Sequence, residues 1–176
     1  QRLPDEQALD GTVRELCLPA HRDLMAAADP AAALAALDRV RVLAAVRHGP
    51  WGVEALNWRI EQALAAAGLI ERPGALYAGR PIMVTQNDHR QELYNGDVGL
   101  LLPDPDSGVL RAWFAGSDGV RRFLPARLPP HETVYAMTVH KSQGSEAQQV
   151  VLVLPPAASR AATRELVYTA VTRARR

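Results

Sequence analysis

The final segment of the chain, from Glu132 onward, constrains the fold most, because it alternates apolar runs with polar connections. "ETVYAMTVH" and "QQVVLVLP" are apolar runs of strand length, and the polar loop "KSQGSE" separates them. The segment "TRELVYTAVTRARR" then has the spacing of an amphipathic helix. Strands that alternate with helices predict a largely parallel sheet of an α/β domain, in which ligands bind at loops that follow strands.

The rest of the chain extends this pattern in both directions. Residues 40–46 and 80–86 also read as strands, so we expect one largely parallel sheet built from residues 40–46, 80–86, 133–139 and 149–154. "GVEALNWRIEQALAAAG" predicts a helix that Gly68 ends. "DPAAALAAL" predicts a second helix, with Asp29 as its N-cap and Pro30 in its first turn. "PDEQALDGTVRELC" is interpreted as helix, turn and helix, broken at Gly11.

The region from Asn95 to Pro130 has a different sequence pattern. Short β-prone runs alternate there with turn signals such as "PDPDSG" and "GSDG". About 35 residues are too few for a comfortable independent domain, so this region is predicted to be a small antiparallel barrel inserted into the larger domain. The expected organisation is a helical lead-in (1–38), the α/β domain (39–94 and 131–176) and the insert (95–130).

Composition excludes several classes of protein. The formal net charge of +1 gives no polyelectrolyte signal, and the single cysteine, Cys17, excludes an internal disulfide. We expect a cytoplasmic protein, because no apolar run is long enough to cross a membrane and no signal peptide is evident. His131 and His140 do not have the spacing of zinc ligands, so no metal site is expected.

The loop after the third predicted strand holds the chain's one lysine, Lys141, among 20 Lys and Arg residues. Thr138, His140 and Ser142 offer hydrogen-bond donors beside it, and Gly144 allows close approach of a backbone. A lysine is a compact point charge that a planar arginine does not replace in a shaped site. The loop therefore predicts a site for a polyanion, with chance survival of one lysine as the alternative.

The terminal helix carries an arginine at the border between its two faces. At 100° per residue, one face contains Leu166, Val167, Ala170, Val171 and Ala174, and the opposite face contains Thr169, Thr172 and Arg176. Arg173 falls between them, where packing anchors the side chain while its guanidinium reaches out of the domain. A solvated arginine on an amphipathic helix is the alternative interpretation.

Together, "MTVHKSQGSE" and "ELVYTAVTRAR" resemble motifs V and VI of superfamily 1 helicases. More narrowly, "RVLAAVRHGPWGVEALN", "GRPIMVTQND" and "LYNGDVGLLL", with the two motifs, resemble the RecD family, the alpha subunits of exodeoxyribonuclease V. The resemblance is strong from Arg39 to Arg176. It implies a RecA-like second motor domain of the P-loop NTPase type, with an inserted SH3-like β barrel.

The resemblance also implies a role for each matched residue. Arg173 corresponds to an arginine finger at the γ-phosphate, and Arg47 to the motif IV arginine, a second γ-phosphate contact. Glu146 matches the residue at the ribose, Gly144 lies near the nucleotide, and Gln143 links the two sites. The expected contacts to phosphates of single-stranded DNA are Thr138, His140, Lys141 and Ser142.

The family's first motor domain holds most of the ATP site, and its Walker A loop is absent from this sequence. We therefore expect a segment of a longer 5′-to-3′ DNA helicase subunit that acts in double-strand-break repair and recombination, with ATP and Mg²⁺ bound mainly by that other domain. The segment alone is expected to be inactive. The implied partners are single-stranded DNA, the first RecA-like domain and the beta and gamma subunits. A non-catalytic DNA-binding or subunit-docking module is the alternative.

Overall fold

The computed structural model describes residues 6–74, 76–142, 146–155 and 163–174. The helices are α1 (Glu6–Met25), α2 (Pro30–Ala36), α3 (Val53–Ala66) and α4 (Arg164–Val171). The strands are β1 (Val40–Ala44), β2 (Pro81–Val84), β3 (Val98–Pro103), β4 (Leu110–Gly116), β5 (Gly119–Phe123), β6 (His131–Thr133), β7 (Ala136–Thr138) and β8 (Gln149–Val153). No helix in these ranges is both long and apolar enough to cross a membrane.

The chain forms two compact units. Unit 1 contains the described residues up to His21, together with Asp38–Pro73 and those from Tyr135 onward. Unit 2 contains Arg22–Leu37 and the described part of Gly74–Val134. The chain therefore enters and leaves unit 2 twice, and the first crossing falls within α1.

A parallel sheet in the order β7-β1-β8 is the centre of unit 1. Val42 pairs with Ala136 of β7 and with Val151 of β8, so the three strands run in the same direction. The buried side of α3 consists of Leu56, Ile60 and Leu64, which are fully buried. This confirms the predicted α/β character of the domain and the helix predicted for "GVEALNWRIEQALAAAG".

The ends of the short helices follow the sequence signals. Asp29 caps α2 by accepting a 2.8 Å hydrogen bond from the backbone N–H of Ala32. Gly68 follows α3 with a φ of +68°, a conformation that glycine adopts without a side-chain clash. The Leu69 N–H then donates to the Leu64 carbonyl, which closes the end of the helix.

The predicted break at Gly11 is wrong, because α1 continues through Gly11 and also contains Pro19. An internal glycine costs a helix about 1 kcal/mol relative to alanine. Leu9 and Val13 flank Gly11 and are buried, and their burial outweighs that cost. Local propensity is therefore overridden by packing.

Unit 2 contains an antiparallel sheet in the order β5-β4-β3-β2-β6. The predicted membership of residues 80–86 in the parallel sheet is wrong, because β2 pairs antiparallel with both β3 and β6. All four residues of β2 are buried, and such a run has the same sequence pattern in either kind of sheet. The predicted strand 133–139 is likewise divided between β6 and β7, which belong to different sheets.

The strands of the predicted insert pair as an open sheet. Among the described residues, β5 and β6 end the sheet and do not pair with each other, so no closed barrel is formed. The sheet is covered on both faces at β3 and β4, since neighbouring residues of these two strands belong to different clusters. One cluster contains Leu24, Ala33, Ala36, Leu100, Leu102 and Trp113, and the other contains Ile82, Val84, Leu93, Leu101, Ala112 and Phe114.

Gly99 of β3 is a position where a side chain has no room. It pairs with Phe114 of β4, and a Cβ at this position would lie 2.6 Å from the Phe114 ring. The absence of a side chain at Gly99 therefore lets the aromatic ring close over β3.

The helix α4 packs through a narrower face than its sequence predicts. Ala170 is fully buried, and Leu166 and Val167 are half-buried. Val171 was assigned to the buried face, but it is 63% exposed, and the neighbouring Tyr168 is 74% exposed. Val171 lies 100° around the helix from Ala170 and therefore falls outside the buried part of α4.

Candidate nucleic-acid and nucleotide sites

The loop that follows β7 forms a single turn of 3-10 helix, His140–Ser142. The hydroxyl of Thr138 accepts a 3.3 Å hydrogen bond from the Lys141 N–H. The hydroxyl of Ser142 donates to the Val139 carbonyl at 2.7 Å, and Ser142 is 1% exposed. Thr138 and Ser142 thus hold the turn, while the side chains of His140 and Lys141 are exposed to solvent.

The position of β7 is fixed by a buried amide on α3. The Asn57 side chain donates to the Ala136 carbonyl at 3.0 Å and accepts from the Ala136 N–H at 2.9 Å. β7 is an edge strand of the described sheet, so these two backbone groups have no neighbouring strand. Asn57 therefore supplies the missing hydrogen bonds immediately before Thr138.

Asn57 was missed in the sequence, although it gives a signal. It is a polar residue adjacent to Leu56 on the buried side of a helix that is mostly apolar there. A buried amide on such a face needs hydrogen-bond partners, and a neighbouring strand edge is the usual source of paired backbone groups.

Arg47 lies in the loop that follows β1. The Arg47 carbonyl accepts from the Glu54 N–H at 3.3 Å, in the first turn of α3, and a Cβ on Gly52 would lie 2.6 Å from the same carbonyl. The guanidinium Nε of Arg47 is 3.6 Å from Glu54 Oε1, and His48 Nδ1 is 3.1 Å from Glu54 Oε2. Glycine at position 52 therefore permits the close turn that places these side chains together at the surface.

Glu54 is held in its ionised form by this cluster. The side-chain hydrogen bond with His48 is the main cause that lowers the pKa of the Glu54 carboxyl, and the Arg47 guanidinium lowers it further. Both groups are well exposed, so the contact orients Arg47 more than it stabilises the fold.

Arg173 lies just beyond the end of α4, beside the start of β8. Its carbonyl accepts a 2.9 Å hydrogen bond from the Ala147 N–H, and Ala147 and Ala174 form a parallel bridge. The Arg173 Nε donates to the Thr169 carbonyl at 3.3 Å, and the side chain is half-buried. Glu146 is exposed and directly precedes Ala147, so Glu146 and Arg173 lie at the same end of β8.

The candidate site residues that the structure describes therefore lie at two opposite ends of the parallel sheet. Ala44 is in register with both Thr138 and Val153, so the loops with Arg47 and with His140 leave the same, carboxyl-terminal end. Ala147 precedes β8 at the other end. The five residues of β8 are joined by four steps of about 3.3 Å each, so its two ends lie roughly 13 Å apart.

Arg47 follows β1 at the carboxyl-terminal end of the sheet, and Arg173 lies beside the start of β8 at the other end. The expected contact of both side chains with the γ-phosphate stays a prediction. Gln143 and Gly144, the other two expected nucleotide contacts, lie outside the described residues. In the described part of the chain, no group of three or more His, Cys, Asp or Glu side chains is placed to hold a metal ion.

Comparisons with known proteins agree with the helicase motifs. Residues 133–176 match the family model described as the UvrD-like helicase C-terminal domain. The chain is 45% identical over 166 residues to the RecBCD enzyme subunit RecD of Mycolicibacterium smegmatis, covering 93% of this chain and 29% of that relative. It is 36% identical over 138 residues to the ATP-dependent RecD2 DNA helicase of Deinococcus radiodurans, covering 77% of this chain and 19% of that relative.

Solved structures of Pif1 helicases are also among the matches, at low sequence identity. A Pif1 helicase from Bacteroides in complex with ADP-AlF3 and single-stranded DNA has 15% identity and a TM-score of 0.46, covering 100% of this chain and 48% of that one. The chain thus spans under one third of the curated relatives named above, at 29% and 19% of their lengths. Over the part that it spans, the chain belongs to the RecD family of helicase proteins.

Proposed function

We propose that this chain forms the second motor part of an ATP-dependent 5′-to-3′ DNA helicase subunit of exodeoxyribonuclease V. The observation that carries the proposal is the division of the expected site residues between the two ends of one parallel sheet. One end presents His140 and Lys141, and the other presents Glu146 and Arg173. A motor that moves on a strand needs both a surface for DNA and a surface for nucleotide, and unit 1 offers one at each end.

The carboxyl-terminal end of the sheet is the proposed DNA surface. His140 and Lys141 are exposed on a turn that Thr138 and Ser142 stabilise, so the turn presents both side chains at the surface. Arg47 leaves the same end of the sheet, and we assign it to a backbone phosphate of the strand rather than to the γ-phosphate. Contacts of this kind track phosphates and do not read bases.

The amino-terminal end of β8 is the proposed nucleotide surface. Arg173 acts as the arginine finger, which stabilises negative charge on the departing γ-phosphate. Glu146 binds the ribose hydroxyls, and the motif adds Gln143 and Gly144, which lie outside the described residues, as further nucleotide contacts. The bond between the Arg173 carbonyl and the Ala147 N–H fixes Arg173 beside this loop, so both parts of the surface move together.

ATP and Mg²⁺ are bound mainly by a first RecA-like motor domain, which supplies the loop that cradles the phosphates. The nucleotide then lies between that domain and the end of β8. The segment from Val139 to Ala147 connects the proposed DNA surface with the proposed nucleotide surface.

The relatives named RecBCD enzyme subunit RecD extend the proposal to partners. We propose that the complete protein works with the beta and gamma subunits in the cytoplasm, in double-strand-break repair and recombination. Single-stranded DNA is its substrate.

The DNA surface is tested by measuring the affinity of the full-length protein for single-stranded DNA over a range of salt concentrations. Each single-strand phosphate contact contributes about 0.7 to the slope of log K against log salt. Lys141→Ala and Arg47→Ala should each weaken binding and reduce that slope. Arg72→Ala removes an exposed arginine of unit 1 outside both surfaces and should leave affinity and slope unchanged.

The two arginine assignments give opposite outcomes in this assay. If Arg47→Ala leaves DNA affinity and slope intact but slows ATP hydrolysis, Arg47 contacts the nucleotide and the assignment to DNA is wrong. If Lys141→Ala also leaves both quantities unchanged, the carboxyl-terminal end of the sheet is not the DNA surface.

A further inference from the structure

The connection between β2 and β3 in unit 2 contains a rigid turn, residues 88–94, which we call the 88–94 tip. Asp88 Oδ1 accepts from the N–H groups of Arg90 and Gln91, at 2.9 and 3.1 Å. Asp88 and Leu93 exchange two backbone hydrogen bonds, at 2.7 and 3.1 Å. Leu93 is fully buried, so the tip is anchored in the core of unit 2.

Hydrogen bonds to other parts of unit 2 hold the base of the tip in place. Gln91 Nε2 donates both to Asp88 Oδ2 and to the Arg127 carbonyl, each at 2.8 Å. The Arg121 guanidinium donates to the carbonyls of Gln91 and Glu92, at 3.1 and 2.8 Å. These bonds tie the turn to neighbouring parts of unit 2 on two sides.

Glu92 has a φ of 52° and is the one non-glycine residue with a positive φ in the part of the chain that the structure describes. A non-glycine residue keeps this conformation only where its surroundings impose it, and such positions cluster at ligand sites. The Arg121 bonds to the Gln91 and Glu92 carbonyls are the constraint that imposes it here.

The outer surface of the tip presents two rings and a cation. The rings of His89 and Tyr94 meet edge to face, with centroids 5.9 Å apart and planes at 69°. Tyr94 is 45% exposed, and His89 and Arg90 are also exposed. An edge-to-face pair leaves ring faces open for a third flat group.

Each carboxylate near the tip has a hydrogen-bond or ion-pair partner within unit 2. Asp88 is taken up by the hydrogen bonds of the turn, and Asp97 accepts from the Tyr94 N–H at 2.8 Å. The Glu92 carboxylate is 3.4 Å from Arg121. The surface therefore suits a ligand that is negatively charged and also has a flat, apolar face.

A nucleotide of a single strand has this combination, because its phosphate pairs with a cation and its base stacks on an aromatic ring. A protein partner needs a contact area of about 1,000 Å² or more with an apolar centre. The exposed neighbours of the tip are polar instead, namely Gln86, Asn87 and Asn95.

We propose that the 88–94 tip is a second contact for single-stranded DNA, at which one base stacks on the Tyr94–His89 pair and a phosphate binds Arg90. The proposal rests on the proposed function, because it takes the same strand as its ligand. It adds a base-stacking contact in unit 2 to the phosphate contacts of unit 1.

The test measures the affinity of the full-length protein for a short oligothymidylate and for the same strand with abasic sites in place of the bases. Stacking of one base corresponds to roughly a 5-fold to 140-fold change in affinity. Tyr94→Ala should weaken binding to oligothymidylate within that range and should have little effect on the abasic strand. Tyr94→Phe, which keeps the ring, should bind both strands as the wild type does.

Two further variants separate the possible outcomes. Trp58→Ala removes an exposed aromatic ring of unit 1 that belongs to neither proposed surface, and it should leave both affinities unchanged. Lys141→Ala should weaken binding to both strands equally. If Lys141→Ala weakens binding and Tyr94→Ala does not, the tip proposal is overturned while the proposed function stands. If neither variant weakens binding, the proposed function fails as well.

A third outcome would reassign the tip. If Tyr94→Ala binds DNA normally but no longer co-purifies with its partner subunits, the tip is a protein contact and the DNA proposal is overturned. A thermal unfolding curve that matches the wild type shows that Tyr94→Ala is folded, and Arg90→Ala provides an independent variant that leaves the ring pair intact.

Discussion

Replacement of Asn57 by alanine should loosen the edge strand that leads to the proposed DNA surface. The substitution removes the side chain that pairs with two backbone groups of Ala136. The Ala136 carbonyl accepts from the Asn57 amide at 3.0 Å, and the Ala136 N–H donates to it at 2.9 Å. Each buried backbone group left without a partner costs about 1–3 kcal/mol, so the two together cost about 2–6 kcal/mol. Because the cost falls on β7, the opening of this strand should become easier by that amount.

Hydrogen exchange measured over the peptide that contains residues 134–139 reports this opening directly. A cost of 2 kcal/mol corresponds to exchange faster by about 27-fold, since every 1.4 kcal/mol is a factor of ten. Asn57→Asp should exchange at least as fast as Asn57→Ala, because a buried carboxylate charge that faces the Ala136 carbonyl costs more than its one remaining hydrogen bond, from the Ala136 N–H, restores.

Gln62→Ala is the matched control, since it removes an exposed amide from the same helix. It should leave the exchange of residues 134–139 unchanged. If Asn57→Ala exchanges within about twofold of the wild type, the amide does not hold the strand and the reasoning about this edge is wrong.

Two further substitutions test the packing. Gly99→Ala should destabilise unit 2 by about 1–3 kcal/mol, because its Cβ would lie 2.6 Å from the Phe114 ring. Gly11→Ala adds a Cβ that meets no atom within 4 Å, so it should not destabilise the protein. Urea unfolding of both variants measures the two effects. Burial of the imidazole lowers the pKa of His21 below its usual value. The unfolded chain then binds the proton more readily, so stability falls as pH drops below about 6.5, by at most about 1.4 kcal/mol per pH unit. His21→Leu should flatten that fall in a melting series from neutral to acid pH, and an unchanged profile would contradict it.

Local signals in the sequence predicted local structure well. The N-cap Asp29, the stop at Gly68 and the apolar face of α3 each depend on a few neighbouring residues, and each is present as expected. Such features follow from hydrogen bonding and side-chain geometry within one helical turn, so they can be read without the fold.

Strand pairing was harder to predict from the sequence, because it depends on residues that lie far apart in the chain. β2 is buried throughout, and that pattern fits a parallel or an antiparallel sheet equally. The break between β6 and β7 occurs within the apolar run Val134–Ala136, with no turn residue to mark it. In both cases the sheet to which a strand belongs is decided by its tertiary partners.

In the candidate site, too, local motifs were predicted from the sequence and their relative positions were not. The motifs identified the loop after β7 and the end of α4, but they did not show that Arg47 and Arg173 lie at opposite ends of the sheet. That separation follows from the direction of α4, which returns along the sheet after β8. Asn57 and Glu54 act only through contacts with other segments, so no motif identified them.

The most direct test of the central claim is the rate of DNA-stimulated ATP hydrolysis by Arg173→Ala in the full-length protein. An arginine finger contributes on the order of 10³–10⁵ to turnover, so hydrolysis should fall by that factor while the melting temperature and most DNA affinity are retained. Arg173→Lys should restore little, because lysine lacks the planar fork. Arg164→Ala, which removes an exposed arginine at the start of the same helix, should hydrolyse ATP normally. If Arg173→Ala kept near-normal turnover, Arg173 would be a solvated surface residue and the chain would be better described as a non-catalytic module.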